Sequence, residues 1–197
     1  MSVRSALPLQ NILPKPGQPA CMISRLELIH QLKYKGKIQL ARPLGTLLFA
    51  ALCRFWKNAD LDVIIPVPLH AKRFKKRGFN QAYLLIKDWQ KRYAKVGRVF
   101  STIPINRDVL VREKHTKPQT GLNRKERVKN IKNAFKITDP ELIEGKRVLI
   151  VDDVYTTGAT TNECARILLK HKVKRVDILT LARAVNRRLG RAQRNPT

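Results

Sequence analysis

Acidic residues, aromatic residues and cysteines are all scarce in this chain of 197 residues. Lys and Arg number 41 against 14 Asp and Glu, which gives a formal net charge of +27. This imbalance predicts attraction to polyanions, which are nucleic acids, phosphorylated ligands and anionic membrane surfaces. A solvated basic surface without a dedicated partner is the alternative, but the cations cluster along the chain instead of being dispersed.

Cysteine occurs only as Cys21, Cys53 and Cys164, an odd number without a CxxC pair. A disulfide framework or a tetrathiolate zinc site within the chain is therefore not expected, and no protein-derived set of metal ligands is predicted. The longest apolar run, residues 43–56, falls short of the roughly 20 residues that a spanning helix needs. The N-terminus lacks the features of a secretory signal, so we expect a cytoplasmic protein without a membrane span.

Strand and helix patterns alternate along residues 23–183, and this order predicts one α/β domain with three layers and a mainly parallel central sheet. The proline-rich residues 1–22 are expected to be irregular, and residues 184–197 form a basic tail. The predicted helices lie at 23–32, from Pro43 onward, at 80–93 with Asn80 as its cap, and after residue 160, and a basic turn is predicted at 34–37. The predicted strands lie at 61–65, 108–112, 135–137, 147–151 and 176–181. Residues 70–78 are predicted to be a basic loop, and residues 113–133 a long mobile loop with a short helix near its end.

The most informative segment is VLIVDDVYTTGAT, residues 148–160. An apolar strand ends where ligands bind in open α/β sheets, and small residues then precede a helix whose N–H groups can hold a phosphate. The carboxylates of Asp152 and Asp153 repel a phosphate, but they accept hydrogen bonds from sugar hydroxyls or bind Mg²⁺. A ribose 5-phosphate combines both kinds of group. The alternative is a strand–turn–helix connection in which Asp153 merely caps the helix.

This string resembles the phosphoribosyl pyrophosphate (PRPP) loop of type I phosphoribosyltransferases. The resemblance implies that fold, with Asp152 and Asp153 on the ribose 2′ and 3′ hydroxyls and Mg²⁺ as the cofactor that accompanies PRPP. The residues that it places around the 5′-phosphate are Thr156, Thr157, Gly158, Ala159 and Thr160.

Two further strings narrow the resemblance: PVPLHAKRFKKRGFNQA at residues 66–82, and the pattern RxxxTxxQxxLxxxxR at residues 112–127. They look like the ComF family and its GntX relatives, over about residues 28–182. That family is associated with competence, the uptake of transforming DNA, so the resemblance implies such a role, with competence-machinery proteins as partners. ComF-like proteins usually begin with a four-cysteine zinc module, whereas residues 1–22 contain only Cys21.

Residues 66–78 follow the first buried strand, where related folds place a pyrophosphate loop. Main-chain N–H groups and cationic side chains at that position suit a diphosphate, although an ordinary solvated basic loop is the alternative. The predicted pyrophosphate-binding residues are Val67, Pro68, Lys72, Arg73 and Arg77.

The basic stretch 112–132 permits two interpretations. As a flexible hood over PRPP it would exclude water and offset the charge of leaving pyrophosphate, with Arg112, Lys114, His115 and Lys117 as candidates. The predicted catalytic residues are then Asp152, Asp153, Arg112 and Lys114. As a nucleic-acid surface it would place cations on phosphates without aromatic base stacking. The predicted nucleic-acid contacts are Lys75, Lys76, Arg124, Lys125 and Arg127, and the tail that carries Arg187 and Arg191 is either a further basic helix or unstructured.

Two hypotheses about function follow. The first is an enzyme that binds PRPP with Mg²⁺ and transfers its phosphoribosyl group to an acceptor with release of pyrophosphate. The second is a non-catalytic protein that senses PRPP and binds single-stranded DNA. They are compatible if DNA, or a component bound to DNA, is the acceptor, and the sequence identifies no pocket for a nucleobase.

Overall fold

The computed structural model describes residues 3–5, 25–56, 60–94, 100, 102–116 and 121–183. A 3-10 turn at Ile38–Leu40 precedes the second helix. The elements are β1 Val3–Ser5, α1 Arg25–Tyr34, α2 Ala41–Phe55, β2 Val63–Pro66, α3 Ala71–Arg77, α4 Gln81–Ile86, α5 Trp89–Tyr93, β3 Leu110–Arg112, α6 Arg124–Ile131, β4 Phe135–Ile137, β5 Arg147–Tyr155, α7 Ala159–Lys170 and β6 Arg175–Arg183.

Four parallel strands form the central sheet in the order β1-β6-β5-β2. The long strand β5 lies inside the sheet, with Ile150 opposite Ile178 of β6 on one side and Ile65 of β2 on the other. A separate antiparallel pair is formed by β3 and β4, in which Leu110 faces Ile137. The expected α/β fold with a mainly parallel sheet is confirmed.

Side chains alternate across the sheet and divide the core into two layers. Leu149 and Val151 of β5 pack with α1, α2 and α4 on one face, called here the α2 face. Val148 and Ile150 pack with α7 and the β3–β4 pair on the other, called here the α7 face. The same alternation, continued along β5, carries Asp152 toward the α7 face and Asp153 toward the α2 face.

Several elements differ from their predicted extents. Residues 70–78 form α3 rather than a loop, because the side chain of His70 accepts the N–H of Lys72 at its start and Gly78, at φ 83°, ends it. The strand β5 continues past Val151 to Tyr155, because β6 runs beside it to Arg183 and pairs with its backbone.

Three other differences concern helices and the N-terminal segment. The predicted helix at 80–93 is divided into two helices, α4 and α5. Asn80 caps α4, as expected, by accepting N–H bonds at its start. Within the segment expected to be irregular, β1 adds to the edge of β6; three residues are too few to give a periodic signal. The predicted basic tail lies outside the described residues.

Among the described residues, one helical stretch, Ile38–Phe55, is long and apolar enough by length and composition to cross a membrane. The expectation that the chain has no membrane span was based on residues 43–56 alone. The stretch found here also includes the turn at Ile38–Leu40, which precedes α2. In this structure Leu44, Leu48 and Leu52 are buried in the α2 face of the core, as in a core helix.

The contact between α2 and α4 requires a glycine. A Cβ added to Gly45 would lie 2.2 Å from the carbonyl oxygen of Leu85, a backbone atom that cannot give way alone.

We expect Gly45→Ala to lower the free energy of unfolding by about 2 kcal/mol or more, because forcing an extra carbon into a packed crossing separates the helices. Denaturant unfolding measures the loss. The exposed Ala50→Ser in the same helix is the control and should change it by about 0.5 kcal/mol; equal losses in both variants would contradict the packing argument.

Candidate functional site

A cavity of about 730 Å³ opens where β2 and β5 end, at the carboxyl edge of the parallel sheet. Residues from all four predicted groups line it: the catalytic residues, the 5′-phosphate loop, the pyrophosphate segment and the nucleic-acid contacts. The predicted residues that line it are Val67, Pro68, Arg73, Lys76, Arg77, Arg112, Arg127, Asp152, Asp153, Thr156, Gly158, Ala159 and Thr160.

The two carboxylates lie in the last part of β5 and are almost fully buried, with Asp152 9% and Asp153 2% exposed. The carboxylate of Asp153 forms an ion pair with Lys33 of α1, with 2.8 Å between Oδ2 and Nζ. Asp152 accepts the main-chain N–H of Asp153 at 2.9 Å. Adjacent acids in a strand therefore take different environments, because successive side chains point to opposite faces.

Burial, followed by the charge of Asp153, raises the pKa of Asp152 to about 7, and the ammonium of Lys33 acts in the opposite direction. Two anionic carboxylates on adjacent residues repel each other. Near neutral pH the pair therefore carries less than its full negative charge until a ligand supplies donors or a cation.

The loop after β5 lines the cavity with small and hydroxyl-bearing residues, among them Thr156, Gly158 and Ala159. Gly158 adopts a φ of 76° at the start of α7, and a Cβ there would lie 2.3 Å from the hydroxyl of Tyr155. Only glycine fits both restrictions, and it lets α7 begin directly at the cavity. The N-terminus of this helix, with the hydroxyls of Thr156 and Thr160 beside it, is suited to bind an anion.

Thr157 is the exception within this predicted loop. It does not line the cavity, and its hydroxyl accepts the N–H of Ala159 at 3.4 Å. Its role in the structure is therefore to shape the turn rather than to face a ligand.

Arginines form another part of the cavity lining, called here the arginine wall, which consists of Arg73, Arg77, Arg112 and Arg127. Arg73 donates to the carbonyl oxygen of Thr116 at 2.8 Å, and the buried Arg112 donates to the hydroxyl of the same threonine. Burial, then the charge of Arg73, lowers the pKa of Arg112 to about 10, and burial, then Arg77, lowers that of Arg73. Among the described residues the buried Nε of Arg112 has no hydrogen-bond partner. Cations placed together in this way favour an anionic ligand.

The segment after β2 is held in place by a hydrogen-bonded asparagine. Asn80 donates to the carbonyl oxygen of Val67 at 3.0 Å, while the N–H of Val67 donates to Val151 at 2.8 Å. His70 accepts from Lys72 through Nδ1 and lies 3.0 Å through Nε2 from the carbonyl oxygen of Glu113, which assigns the proton to Nε2. The predicted pyrophosphate segment is thus connected to the predicted hood.

Several predicted residues lie elsewhere. Lys72 and Lys114 are exposed and do not line the cavity, so the predicted diphosphate and catalytic roles lack support from their positions. His115 packs on the ring of His70 at 4.9 Å, and Lys117 lies outside the described residues. Of the predicted nucleic-acid contacts, Lys76 and Arg127 line the cavity. The other three are exposed and do not line it, namely Lys75, Arg124 and Lys125.

The sequence analysis assigned no role in the site to the other residues that line the cavity, which are Lys33, Tyr34, Gly36, Leu69, Phe79, Gln81, Val154, Tyr155 and Thr161. The only signal from the first three was a basic turn with a glycine after a helix. That pattern is common on protein surfaces and does not indicate a ligand.

The side chains of the cavity limit how a metal ion could be bound there. The described residues contain no group of three or more His, Cys, Asp or Glu side chains arranged to hold a metal ion. Asp152 and Asp153 supply carboxylate oxygens of the kind that Mg²⁺ prefers, but Asp153 is already paired with Lys33. The residues therefore fit Mg²⁺ that arrives with a phosphorylated ligand rather than a cation held by protein alone.

Comparison with known proteins agrees with this geometry. A sequence profile of the phosphoribosyl transferase domain matches residues 86–194. Competence protein F of Haemophilus influenzae is 36% identical over 161 residues, which cover 80% of this chain and 67% of that protein. The chain belongs to the ComF-like family.

Other ComF-like relatives are more distant. DNA utilization protein YhgH of Escherichia coli K12 is 32% identical over 161 residues, covering 80% of this chain and 66% of the relative. Competence protein ComFC of Bacillus subtilis is 28% identical over 159 residues, covering 80% and 59%. The chain thus spans about two thirds or less of the length of these relatives.

A solved purine phosphoribosyltransferase from Pyrococcus horikoshii overlaps with a TM-score of 0.40 at 21% identity, over 71% of this chain and 72% of that one. This overlap is too low to add to the argument.

The raised pKa of Asp152 predicts a pH-dependent stability. Between about pH 4 and pH 7 the folded protein binds more protons at this group than the unfolded chain does, so its contribution to stability falls as the pH rises. Asp152→Asn removes this dependence. We expect the variant to gain on the order of 3 kcal/mol relative to wild type between pH 4.5 and pH 8.

Denaturant unfolding at both pH values measures this difference. Asp108→Asn, at an exposed position outside the cavity, is the matched control and should show no such gain. A constant difference between Asp152→Asn and wild type across this range would refute the assignment.

Proposed function

We propose that this ComF-like protein binds PRPP together with Mg²⁺ in the cavity at the end of β5. The observation that carries the proposal is the joint placement, in one cavity, of two buried carboxylates, a helix N-terminus with small residues and a wall of arginines. A ligand that satisfies all three needs hydroxyl groups, a terminal phosphate and a second, strongly anionic group. PRPP has each of these.

In the proposed complex the N–H groups at the start of α7 and the hydroxyls of Thr156 and Thr160 hold the 5′-phosphate. Asp152 and Asp153 accept hydrogen bonds from the ribose 2′ and 3′ hydroxyls. The diphosphate lies toward Arg73, Arg77 and the segment that begins at Val67, where the cationic side chains meet it.

Asp152 and Asp153 would hold Mg²⁺ together with the ligand, and the ion would supply positive charge that offsets the charge of the phosphates. The chain contributes orientation: Asn80 fixes the carbonyl of Val67, and Thr116 fixes both Arg73 and Arg112. Fixed donors facing the diphosphate stabilise the charge that it gains as it leaves.

The proposed reaction is transfer of the phosphoribosyl group. The bond from ribose C1 to the diphosphate oxygen breaks with its electron pair, pyrophosphate leaves, and a lone pair of the acceptor forms the new bond to C1. The acceptor then loses its proton to solvent. DNA or a component bound to DNA is the proposed acceptor, because this choice makes catalysis compatible with DNA binding.

The biological role proposed for this chain is DNA uptake in natural competence, on the cytoplasmic side and with proteins of the competence machinery. The support comes from the names of its relatives, which are competence proteins and DNA utilization proteins. The net charge of +27 and the exposed cations of α3 and α6 suit single-stranded DNA as a partner.

A second candidate function is a PRPP sensor that binds single-stranded DNA without catalysis. The observation that favours it is the exposure of Lys114, which was predicted to be catalytic and does not line the cavity. Pyrophosphate release distinguishes the two functions: release with a nucleic-acid or nucleobase acceptor supports the enzyme, and PRPP binding without release under any acceptor supports the sensor.

Binding of PRPP should depend on the carboxylate pair. We expect Asp152→Asn with Asp153→Asn to weaken binding at least about 100-fold in calorimetric titration with Mg²⁺, since each neutralised carboxylate loses charge-assisted hydrogen bonds to the ribose. The matched control, Asp139→Asn with Glu141→Gln, removes two negative charges at exposed positions outside the cavity and should bind as wild type does. An unchanged affinity in the cavity variant would refute the proposed site.

Binding of single-stranded DNA should instead follow the exposed cations. We expect affinity to fall steeply between 50 and 200 mM salt, and Lys75→Gln with Lys125→Gln to reduce the slope of log affinity against log salt by roughly 0.7 per lost phosphate contact. Fluorescence anisotropy measures both. Lys170→Gln, on the last turn of α7, and Asp152→Asn serve as controls that should leave the slope unchanged. A salt-independent affinity would exclude this electrostatic mode.

A further inference from the structure

The C-terminal end of α1 takes part in the cavity although it belongs to none of the motifs that indicated the site. Lys33 and Tyr34 close this helix, and both line the cavity together with Gly36, whose φ is 63°. The last two residues of the helix therefore both reach the ligand space.

Lys33 contacts the acidic side of the cavity. Its ammonium lies 2.8 Å from Oδ2 of Asp153, and the two side chains are 20% and 3% exposed. A carboxylate this deeply buried needs a partner in the free protein. The ribose hydroxyls proposed to bind the carboxylate pair need the same acceptor.

Tyr34 contacts the basic side of the cavity. The guanidinium of Arg77 lies over its ring, 5.5 Å from the centroid, and Arg77 in turn donates to Gln81 at 2.6 Å. Lys33 and Tyr34 are neighbours in the chain, so the end of α1 lies between the carboxylates and the arginine wall. The ammonium of Lys33 can thus reach either side on its flexible four-carbon stem.

We propose that Lys33 is a ligand-responsive counter-ion: it neutralises Asp153 in the free protein and turns to the diphosphate when ribose hydroxyls bind that carboxylate. This inference rests on the proposed function. Hydroxyl groups replace the ammonium as donors to Asp153, and the diphosphate offers the released cation a site of higher negative charge. The carboxylate of Asp153 keeps hydrogen-bond donors in both states, and the ammonium of Lys33 keeps an anionic partner in both.

Two ligands separate this role from a purely structural one. PRPP and ribose 5-phosphate share the ribose and the 5′-phosphate, but only PRPP carries the diphosphate. We expect Lys33→Met to weaken PRPP about tenfold or more, since a charge-assisted contact is lost, while ribose 5-phosphate binds within about threefold of its wild-type affinity. Calorimetric titration with Mg²⁺ measures both affinities.

The matched control is Lys35→Met, which removes the same charge two residues away at an exposed position that does not line the cavity. It should leave both affinities unchanged. Equal losses for both ligands in Lys33→Met, or a gain for PRPP, would overturn the inference. If wild type binds neither ligand, the proposed function itself fails; if wild type binds both and the loss is not selective, only the role of Lys33 fails.

A measurement on the wild-type protein covers the case in which Lys33→Met does not fold. The ammonium signal of Lys33 in proton–nitrogen correlation spectra, assigned by its absence in Lys33→Arg, reports the partner of the charge. We expect PRPP to move this signal further than ribose 5-phosphate does. The same shift with both ligands, or none with PRPP, contradicts transfer to the diphosphate.

Discussion

The site depends on two adjacent carboxylates that are buried at the end of a central strand, where only Asp153 forms an ion pair, with Lys33. Carboxylates at the opposite, amino end of the same sheet instead accept hydrogen bonds directly from arginine side chains. There Asp62 accepts from the Nε and Nη2 of Arg147 at 2.9 and 2.6 Å, and Asp177 accepts from Arg175 at 3.0 Å. Asp152 has a pKa raised to about 7, so its charge is incompletely balanced within the protein. An acid pair that the fold leaves in this state is typical of a ligand site rather than of a structural ion pair.

The charges that line the cavity define its ligand further. Two carboxylates face six cations, which are Lys33, Arg73, Lys76, Arg77, Arg112 and Arg127. A neutral sugar would leave the cations unpaired, and a simple polyphosphate would be repelled by the acids. The combination therefore favours a ligand that joins hydroxyl groups to several phosphate charges, and this requirement is independent of the family to which the chain belongs.

Much of this could be predicted from sequence because the decisive residues are contiguous. The four apolar residues before Asp152, and the threonine-rich turn with Gly158 after it, specify strand, turn and helix locally. The cap at Asn80 was also predicted, since a side chain that accepts N–H bonds acts within three residues. Local chemistry of this kind is visible without the fold.

Long-range partners were not predictable. The contact of Lys33 with Asp153 spans 120 positions, and the basic string at 70–78 became a helix because His70 and Gly78 act as caps that its charge pattern obscured. Lys72 and Lys114 were predicted as ligand contacts from the position of their segments and from the sign of their charge. Charge in a segment does not fix which side of a helix or turn faces the cavity, and for these two residues it is the solvent side.

The extension of β5 to Tyr155 has a consequence for how the site is assembled. Because Asp152 and Asp153 belong to a strand, they point to opposite faces, and each meets a different layer of the protein. Asp152 lies on the side of Arg112 and Cys164, whose ionisation it affects, and Asp153 lies on the side of α1. A ribose bound across both acids would therefore contact groups from both helix layers, so that binding is sensitive to how α1 packs as well as to the loop itself. The loop proposed to bind phosphate does not form the cavity alone, and the helix that supplies Lys33 is part of its lining.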